Sequence, residues 1–508
     1  MKKILKLYGA IIFSGALFIE SCASKHQLIN PVVRTENGYV KGLRNKSQTV
    51  TVFKGVPYAA PPVGQFRWRE PQPLQQWKGV LNADTFKASA FQIKQGSRLP
   101  WTKEFMVQNT ISEDCLYLNI WTPAIKRNQK LAVLVFIHGG ALIEGSGAID
   151  VYNGEELSKQ GIVVVTINYR LGVFGFLAHP ELSAESPNHV SGNYGLLDQI
   201  AALKWVRANI SAFGGNPQRV TIGGQSAGAG SVNALIISPQ AAGLFQGAIT
   251  ESGTRYRSDR QFMPMLAVAE KEGVKFAKAK GVNSIEMLRE MSAEKLIAAD
   301  NIQPSIHFGR VIDGYYQPDD IEKVVAEGKQ NDTPLLNGFN ADETTYTGEK
   351  GPTFDSLYYP TGRDRVNTAE KLAGQEQYRV NAHLWMELRG KTAKTNGYEY
   401  FFTRAIPWPE HPEFGAFHTS EIPYVFNNLK TLNRPWSSID SLVAKRMSSY
   451  WVNFVKSGNP NGKGLPNWSA FQPANEEVME IGEHTGMIPI AGSIGRIIFL
   501  KKQLLKVK

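Results

Sequence analysis

Two cysteines in 508 residues are too few for a disulfide scaffold or a four-thiolate zinc site. Long apolar runs are also missing: after the leader, no stretch approaches the roughly 20 continuous apolar residues that cross a bilayer. Glycine and proline, 47 and 27 residues, stay well below the roughly 25–30% of low-complexity chains. With 42% hydrophobic and 20% charged residues, whole-chain disorder and coiled coil are excluded as well. A chain of this length can bury a large core, so its fold needs no disulfide or metal staple. Net charge is +11, but the basic residues are spread along the chain and read as a solvated surface, not as a nucleic-acid face. The densest run, Lys501-Lys502 with Lys506 and Lys508, reads as a solvated end with a weak attraction for anionic headgroups.

What is present begins with a targeting segment. Lys2, Lys3 and Lys6 precede an uncharged stretch from Leu7 to Ile19, too short to span a membrane and suited to a signal-peptide core. Ile19-Glu20-Ser21-Cys22 follows. It resembles a bacterial lipobox, in which a small residue precedes the cysteine that is lipidated. Glu20 departs from the usual small or apolar residue, and ordinary signal-peptidase cleavage nearby is the alternative. The expected organisation is a leader over residues 1–21, lipidation at Cys22, a polar tether over 22–31 and one domain over 32–508. That places the protein outside the cytoplasm, held to a bacterial membrane and facing the periplasm or exterior.

Within the domain, strand-length apolar runs alternate with helical patterns. Leu131–Ile137 and Ile162–Ile167 are continuous and rich in Val and Ile, as buried parallel strands are. Val220–Ile222, Ala248–Thr250, Pro334–Gly338 and Tyr398–Thr403 continue the series, and Ile497–Leu500 is expected to close it. Leu196, Ile200, Leu203, Val206 and Ile210 make one helix face, stopped by Gly214-Gly215. Val443, Met447, Tyr450, Trp451 and Phe454 make another, stopped near Gly458. The alternation predicts an α/β fold: a mostly parallel sheet covered on both faces, with a helix-rich insertion from about Gln261 to Ala326 over one end.

Gly224-Gln225-Ser226-Ala227-Gly228 is a G-x-S-x-G match. Alone it is weak. Here a β-branched strand leads in and an Ala-rich helical pattern leads out, which is the strand–turn–helix context of a nucleophile elbow. The glycines let the chain crowd around a strained serine and leave its Oγ exposed. Serine is a poor nucleophile unaided, so a base must accept its proton. A Gly/Ser-rich turn or phosphate cradle is the bland alternative, and the missing Lys-Ser/Thr ending argues against a P-loop.

At this point the chain resembles the type-B carboxylesterase/cholinesterase branch of the α/β-hydrolases. Ser112-Glu-Asp-Cys-Leu-Tyr-Leu-Asn-Ile-Trp121, Asn168-Tyr-Arg-Leu-Gly-Val-Phe-Gly-Phe176, Gly192-Asn-Tyr-Gly-Leu-Leu-Asp-Gln199 and Tyr450-Trp-Val-Asn-Phe454 match in family order. The resemblance implies a serine carboxylesterase without cofactor or metal, acting on small-molecule esters. It also implies a triad in the chain order Ser, acid, His. Of nine histidines, His418 lies in Phe417-His-Thr-Ser-Glu-Ile-Pro-Tyr424, which is similar to the family's catalytic-His segment. Asn340-Ala-Asp-Glu-Thr-Thr345 resembles the segment that supplies the acid, which makes Glu343 the candidate, with Asp342 and Asp313 as competitors. His138-Gly139-Gly140-Ala141 resembles the oxyanion loop, with Ala141 where a third glycine is usual; the implied donors are the Gly140, Ala141 and Ala227 N–H groups. Ser252 and Glu421 resemble residues that stand behind the catalytic histidine. The resemblance implies a partner for Cys115 in the stretch Ala88-Ser-Ala-Phe-Gln92, which holds no thiol, so Cys115 is expected to be buried and free, while Glu113, Asp114 and Arg170 are expected in structural ion pairs. Trp101, Phe105, Phe174 and Tyr424 are candidates for lining a gorge. No choline-site aromatic falls in register, so small or aromatic esters are favoured. The rival readings are a catalytically silent adhesion protein, against which the complete triad argues, and an enzyme on amides or thioesters.

Overall fold

A computed structural model of the chain describes residues 28–254, 263–298, 308–344 and 366–506. The leader, Cys22 and most of the tether lie outside the described residues. Leu28 and Ile29 are already buried, and the Ile29 N–H donates to Ala124, so the packed domain begins a few residues before the expected boundary at 32.

Eleven strands of the described chain form the central sheet. In chain order they are β1 (Leu43–Arg44), β2 (Thr51–Pro57), β3 (Tyr117–Thr122), β4 (Leu131–Ile137), β5 (Val163–Ile167), β6 (Gly215–Gln225), β7 (Gly247–Glu251), β8 (Leu335–Asn340), β9 (Gly397–Phe402), β10 (Glu477–Ile481) and β11 (Thr485–Pro489). Their spatial order is β11-β10-β9-β8-β7-β6-β4-β5-β3-β2-β1. From β10 across to β5 every pairing is parallel; both edges are antiparallel.

β4 shows why the strands read as continuous apolar runs. Val133, Val135 and Ile137 enter one core, while Ala132, Leu134 and Phe136 enter the other. Alternate side chains of a strand point to opposite faces, so a strand buried on both sides has no polar positions to spare. The helix Tyr194–Asn209 (α1) and the helix Ala227–Ile237 (α2) supply Leu196, Leu203, Val232 and Leu235 to the first core. The helix Ser438–Ser457 (α3) supplies Val443, Met447, Trp451 and Phe454 to the second. Burying each such side chain is worth about 1.5–3 kcal/mol relative to exposure. A capping box between Ser437 and Asp440 starts α3, and Gly458, at φ 72°, stops it.

The expected strand at Ile497–Leu500 is instead part of the helix Ile494–Lys506 (α4). Ile497 and Leu500, three apart, are buried while Ile498 is exposed, which is helical and not two-fold periodicity. The sheet is closed by the hairpin β10–β11. Between β7 and β8, the segments Leu266–Ala279, Ile285–Glu290, Ala293–Ile297 and Ile321–Ala326 form the helix-rich insertion. Among the described residues, no helix is long and apolar enough to cross a membrane.

Candidate active site

The site lies beyond the carboxyl ends of β4, β6, β7 and β8, the usual place for ligands in a parallel α/β sheet. Ser226 connects β6 to α2 with φ 57° and ψ −122°, a conformation that serine rarely adopts. The crowding around it explains the flanking glycines. A Cβ on Gly228 would lie 2.0 Å from the Ile137 carbonyl oxygen, and one on Gly224 would lie 2.5 Å from the Gly228 carbonyl carbon. The Ser226 N–H donates to Glu251 at 2.8 Å, tying the elbow to the end of β7. The residue is only partly buried.

The loop expected to receive the oxyanion follows β4 and packs directly on the elbow: a Cβ on Gly139 would approach the Ser226 Cβ to 3.0 Å. Among the described residues, no hydrogen bond occupies the N–H groups of Gly140, Ala141 and Ala227. Gly140 at φ 105° has no room for a side chain; its carbonyl accepts from Ile143 and Glu144. Ala141 takes φ 53° and its methyl is exposed, so what a third glycine would supply here is backbone freedom rather than space. His138 stacks on Tyr169 at 4.4 Å, and burial pulls its pKa down to about 4, which keeps it neutral.

His418 and Glu343 meet across 75 residues. His418 Nδ1 is 2.5 Å from Glu343 Oε2, and Glu343 Oε1 accepts from the Asn340 N–H at 2.7 Å. The Gln225 amide nitrogen lies 3.3 Å from His418 Nε2. A donor on that side leaves the neutral ring's proton on Nδ1, facing the carboxylate. Burial alone would lower the His418 pKa; the Glu343 charge and hydrogen bond, with Glu421 beyond, outweigh it and hold the pKa above its ordinary value. Trp101 donates from Nε1 to the His418 carbonyl and to Thr419, both at 3.2 Å, and its ring stands edge-on to the imidazole.

The competing acids do other work. Asp342 accepts from the Ala416 N–H at 2.8 Å, fastening the histidine loop to the acid loop. Asp313 accepts from the backbone N–H groups of Tyr315, Tyr316 and Gln317 and from the Asn193 side chain. His383, His411 and His484 each face a nearby glutamate.

Behind the histidine is a buried acidic layer. Glu421 is fully buried; the Asn340 side chain donates to one of its oxygens. Burial, then the Glu343 charge, push the Glu421 pKa up to about 7, against the pull of Asn340 and His418. Glu251, which sequence reasoning passed over, receives the Trp451 indole at 2.7 Å; burial and the Glu421 charge hold its pKa well above the usual range. Ser252 sits beside it, buried, at φ 54°.

Cys115 is free and buried, and burial pushes its thiol pKa up. Arg170 and Glu113 are in ion pairs as expected, with Asp198 at 2.7 Å and with Arg67, while Asp114 accepts from the Tyr117 hydroxyl. Of the gorge candidates, Trp101 borders the site; Phe105 packs on Phe417, Phe174 on Phe91, and the buried Tyr424 donates to Asp440.

Residues 29–356 and 359–491 match the carboxylesterase family. The chain is 36% identical over 484 residues to the para-nitrobenzyl esterase of Bacillus subtilis, covering 89% of this chain and 95% of that one. It is 35% identical over 494 residues to the fumonisin B1 esterase of Sphingopyxis macrogoltabida, covering 90% and 87%. A solved structure of PNB esterase superimposes with a TM-score of 0.78 at 31% identity, covering 94% of this chain and all of that one. Both the ordered strings of sequence and the sheet with its elbow are thus those of a known lineage, and the chain belongs to the type-B carboxylesterase family, carboxylic ester hydrolases of the α/β-hydrolase fold.

Proposed function

We propose that the protein hydrolyses carboxylic esters through an acyl-enzyme formed on Ser226, with His418 as base and Glu343 as the acid that orients it. The observation that carries this reading is the 2.5 Å contact between His418 Nδ1 and Glu343, set beside an elbow whose serine is accessible. With Nδ1 protonated, Nε2 is the ring nitrogen that accepts a proton. It takes the Ser226 proton as Oγ attacks the ester carbonyl, and the imidazolium then protonates the leaving alcohol. The oxyanion is received by the three unoccupied N–H groups of Gly140, Ala141 and Ala227; in other enzymes, loss of one such donor raises the barrier by about 2.7–4 kcal/mol. Water, deprotonated by the same nitrogen, releases the acid. Small and aromatic esters are the expected substrates, in keeping with relatives that are named for ester hydrolysis. Ser226→Ala should abolish hydrolysis of a p-nitrophenyl ester and labelling by an organophosphonate; phosphonate captured on a different serine would overturn the assignment.

The lipid anchor on Cys22 belongs to the same proposal. Its support is the leader and lipobox-like sequence. Mass analysis of the mature N-terminus decides: a diacylated Cys22 is expected, and an unmodified N-terminus elsewhere would reject it.

A further inference from the structure

Arg310 is a cation beside the elbow with no ionic partner among the described residues. Its guanidinium donates through Nη1 to the carbonyl of Gly230, on the turn of α2 that follows Ser226. Among the described residues no carboxylate lies within ion-pair reach of it. Nε and Nη2 make no hydrogen bond there, yet they are not sealed from solvent. By accessible surface the side chain is partly buried, and its charged end is enclosed deeply enough that burial pulls its pKa down to about 10, with only the Tyr169 hydroxyl acting to raise it. That hydroxyl is itself committed to the His138 carbonyl. A half-enclosed guanidinium with no counter-charge is costly, and buried charges are ordinarily paired.

The chain is arranged to keep it there. Gly230 leaves the space: a Cβ would stand 2.8 Å from Arg310 Nη2 and 3.3 Å from its central carbon. Asn193 holds the following residue on both sides, donating to the Val311 carbonyl at 2.8 Å and accepting from the Val311 N–H at 3.0 Å. The Ile312 N–H donates to Pro264 at 2.9 Å, so the backbone that carries Arg310 is pinned. Helix side chains tilt toward the N-terminus, so a side chain at Gly230, about one turn beyond Ser226, would lean toward the elbow, and Arg310 Nη2 stands where that side chain would begin. His418 approaches the elbow from the Gln225 side, where the leaving alcohol must be protonated. Arg310 stands on the Gly230 side of α2, and the acyl chain is taken to extend toward it.

The geometry points to Arg310 as a specificity residue that receives a free carboxylate carried on the acyl part of the ester, so that the preferred substrates are half-esters of dicarboxylic acids. A planar fork with two unused donor atoms matches a carboxylate, and the positive end of α2 reinforces it. The hydrolysis is unchanged: the acyl C–O bond breaks and water supplies the new hydroxyl and the alcohol's proton. This inference rests on the Ser226 esterase reading, and its test separates the two.

The assay compares kcat/KM for monobenzyl glutarate and benzyl valerate, which share acyl length and leaving group and differ in the terminal carboxylate. Wild type should prefer the glutarate at least tenfold. Arg310→Gln should erase that preference while leaving benzyl valerate within about threefold, and Arg310→Lys should fall between. If the two esters fall together in Arg310→Gln, or neither changes, Arg310 is structural and the inference is wrong while the esterase reading stands. If wild type cleaves neither ester and Ser226→Ala behaves identically, both fail. Should Arg310→Gln not fold, product inhibition of wild type decides: glutarate should inhibit at least tenfold more strongly than valerate, and equal inhibition overturns the assignment.

Discussion

Replacing Glu343 by Gln tests the charge on the candidate acid while preserving its shape. In wild type, two donors converge on this side chain: the Asn340 N–H at 2.7 Å on one oxygen and His418 Nδ1 at 2.5 Å on the other. A carboxylate can accept both. A glutamine has one acceptor oxygen, so either the Asn340 N–H loses its partner or His418 faces an NH₂ group and its tautomer reverses. The charge matters separately, because the imidazolium formed in the transition state loses its counter-ion. At about 4 Å between charge centres and an effective dielectric of about 20, that attraction is worth about 4 kcal/mol, or roughly a thousandfold in kcat. With the tautomer penalty added, kcat should fall by about 10³–10⁴. The pH profile gives an independent reading. Glu343 helps hold the His418 pKa above its ordinary value, and activity needs the neutral ring, so the acid limb of kcat/KM should move to lower pH in the variant. Steady-state hydrolysis of a p-nitrophenyl ester from pH 5 to 9 measures both. Asp342→Asn is the control: it weakens one bond to Ala416, worth about 1 kcal/mol of stability, and should leave the acid limb in place. A Glu343→Gln enzyme within tenfold of wild type, or one with an unmoved acid limb, would refute the reasoning.

Glu421→Gln should keep most activity and gain stability relative to wild type above pH 8. The Glu421 pKa is raised to about 7 in the fold, so its contribution to stability is full below the ordinary carboxyl range and lost as pH rises through 7. Melting temperatures of both proteins at pH 6 and pH 9 check this, and a gap that does not widen at pH 9 contradicts it. Reductant should leave the melting temperature unchanged, because Cys115 is free. The same thiol, buried and with a raised pKa, should resist alkylation until the protein is unfolded; rapid labelling of native protein would show that its surroundings have been misread.

The parallel core was legible because strands buried on both faces leave no alternation to misread: Leu131–Ile137 matches β4 residue for residue. The elbow was legible because its glycines answer a local steric demand, visible in the contacts of Gly224 and Gly228. Short apolar runs were not. Ile497–Leu500 is as apolar as a strand, and only the buried Ile497 and Leu500 against the exposed Ile498 reveal a helix. The hairpin Glu477–Pro489 mixes Glu, Gly, Thr and Met at an edge and carries no clear pattern. Arg170 illustrates a different limit: the expected ion pair is there, but its partner, Asp198 on α1, is set by the fold and not by the local sequence. Gln225, Glu251, Asn340, Trp101 and Arg310 take their meaning from partners far along the chain, such as Asn340 with Glu421, 81 residues away. For Arg310 one local signal existed: Gly230, a further glycine beyond the elbow motif in a helix that otherwise favours alanine.

The buried acids at the ends of β7 and β8 show how the fold decides where negative charge resides. Glu343, Glu421 and Glu251 act on one another, and three ionised carboxylates in so dry a layer would repel strongly. Their hydrogen-bond partners are unequal. Glu343 has a backbone N–H and an imidazole, one on each oxygen. Glu421 has the Asn340 amide on one oxygen and an unpartnered second oxygen; Glu251 has one indole and likewise one unpartnered oxygen. Donors stabilise the ionised form, and Glu421 and Glu251, each buried with one unpartnered oxygen, hold their protons to higher pH than an ordinary carboxyl does. Asn340 is the element that couples them: its backbone N–H serves Glu343 and its side chain serves Glu421. As pH rises through about 7, ionisation of Glu421 brings a second negative charge near His418, which makes the ring a stronger base but one slower to lose its proton. His418 and Glu421 thus act on each other's titration, and under the proposed mechanism the acid limb of kcat/KM reports the layer and not the histidine alone.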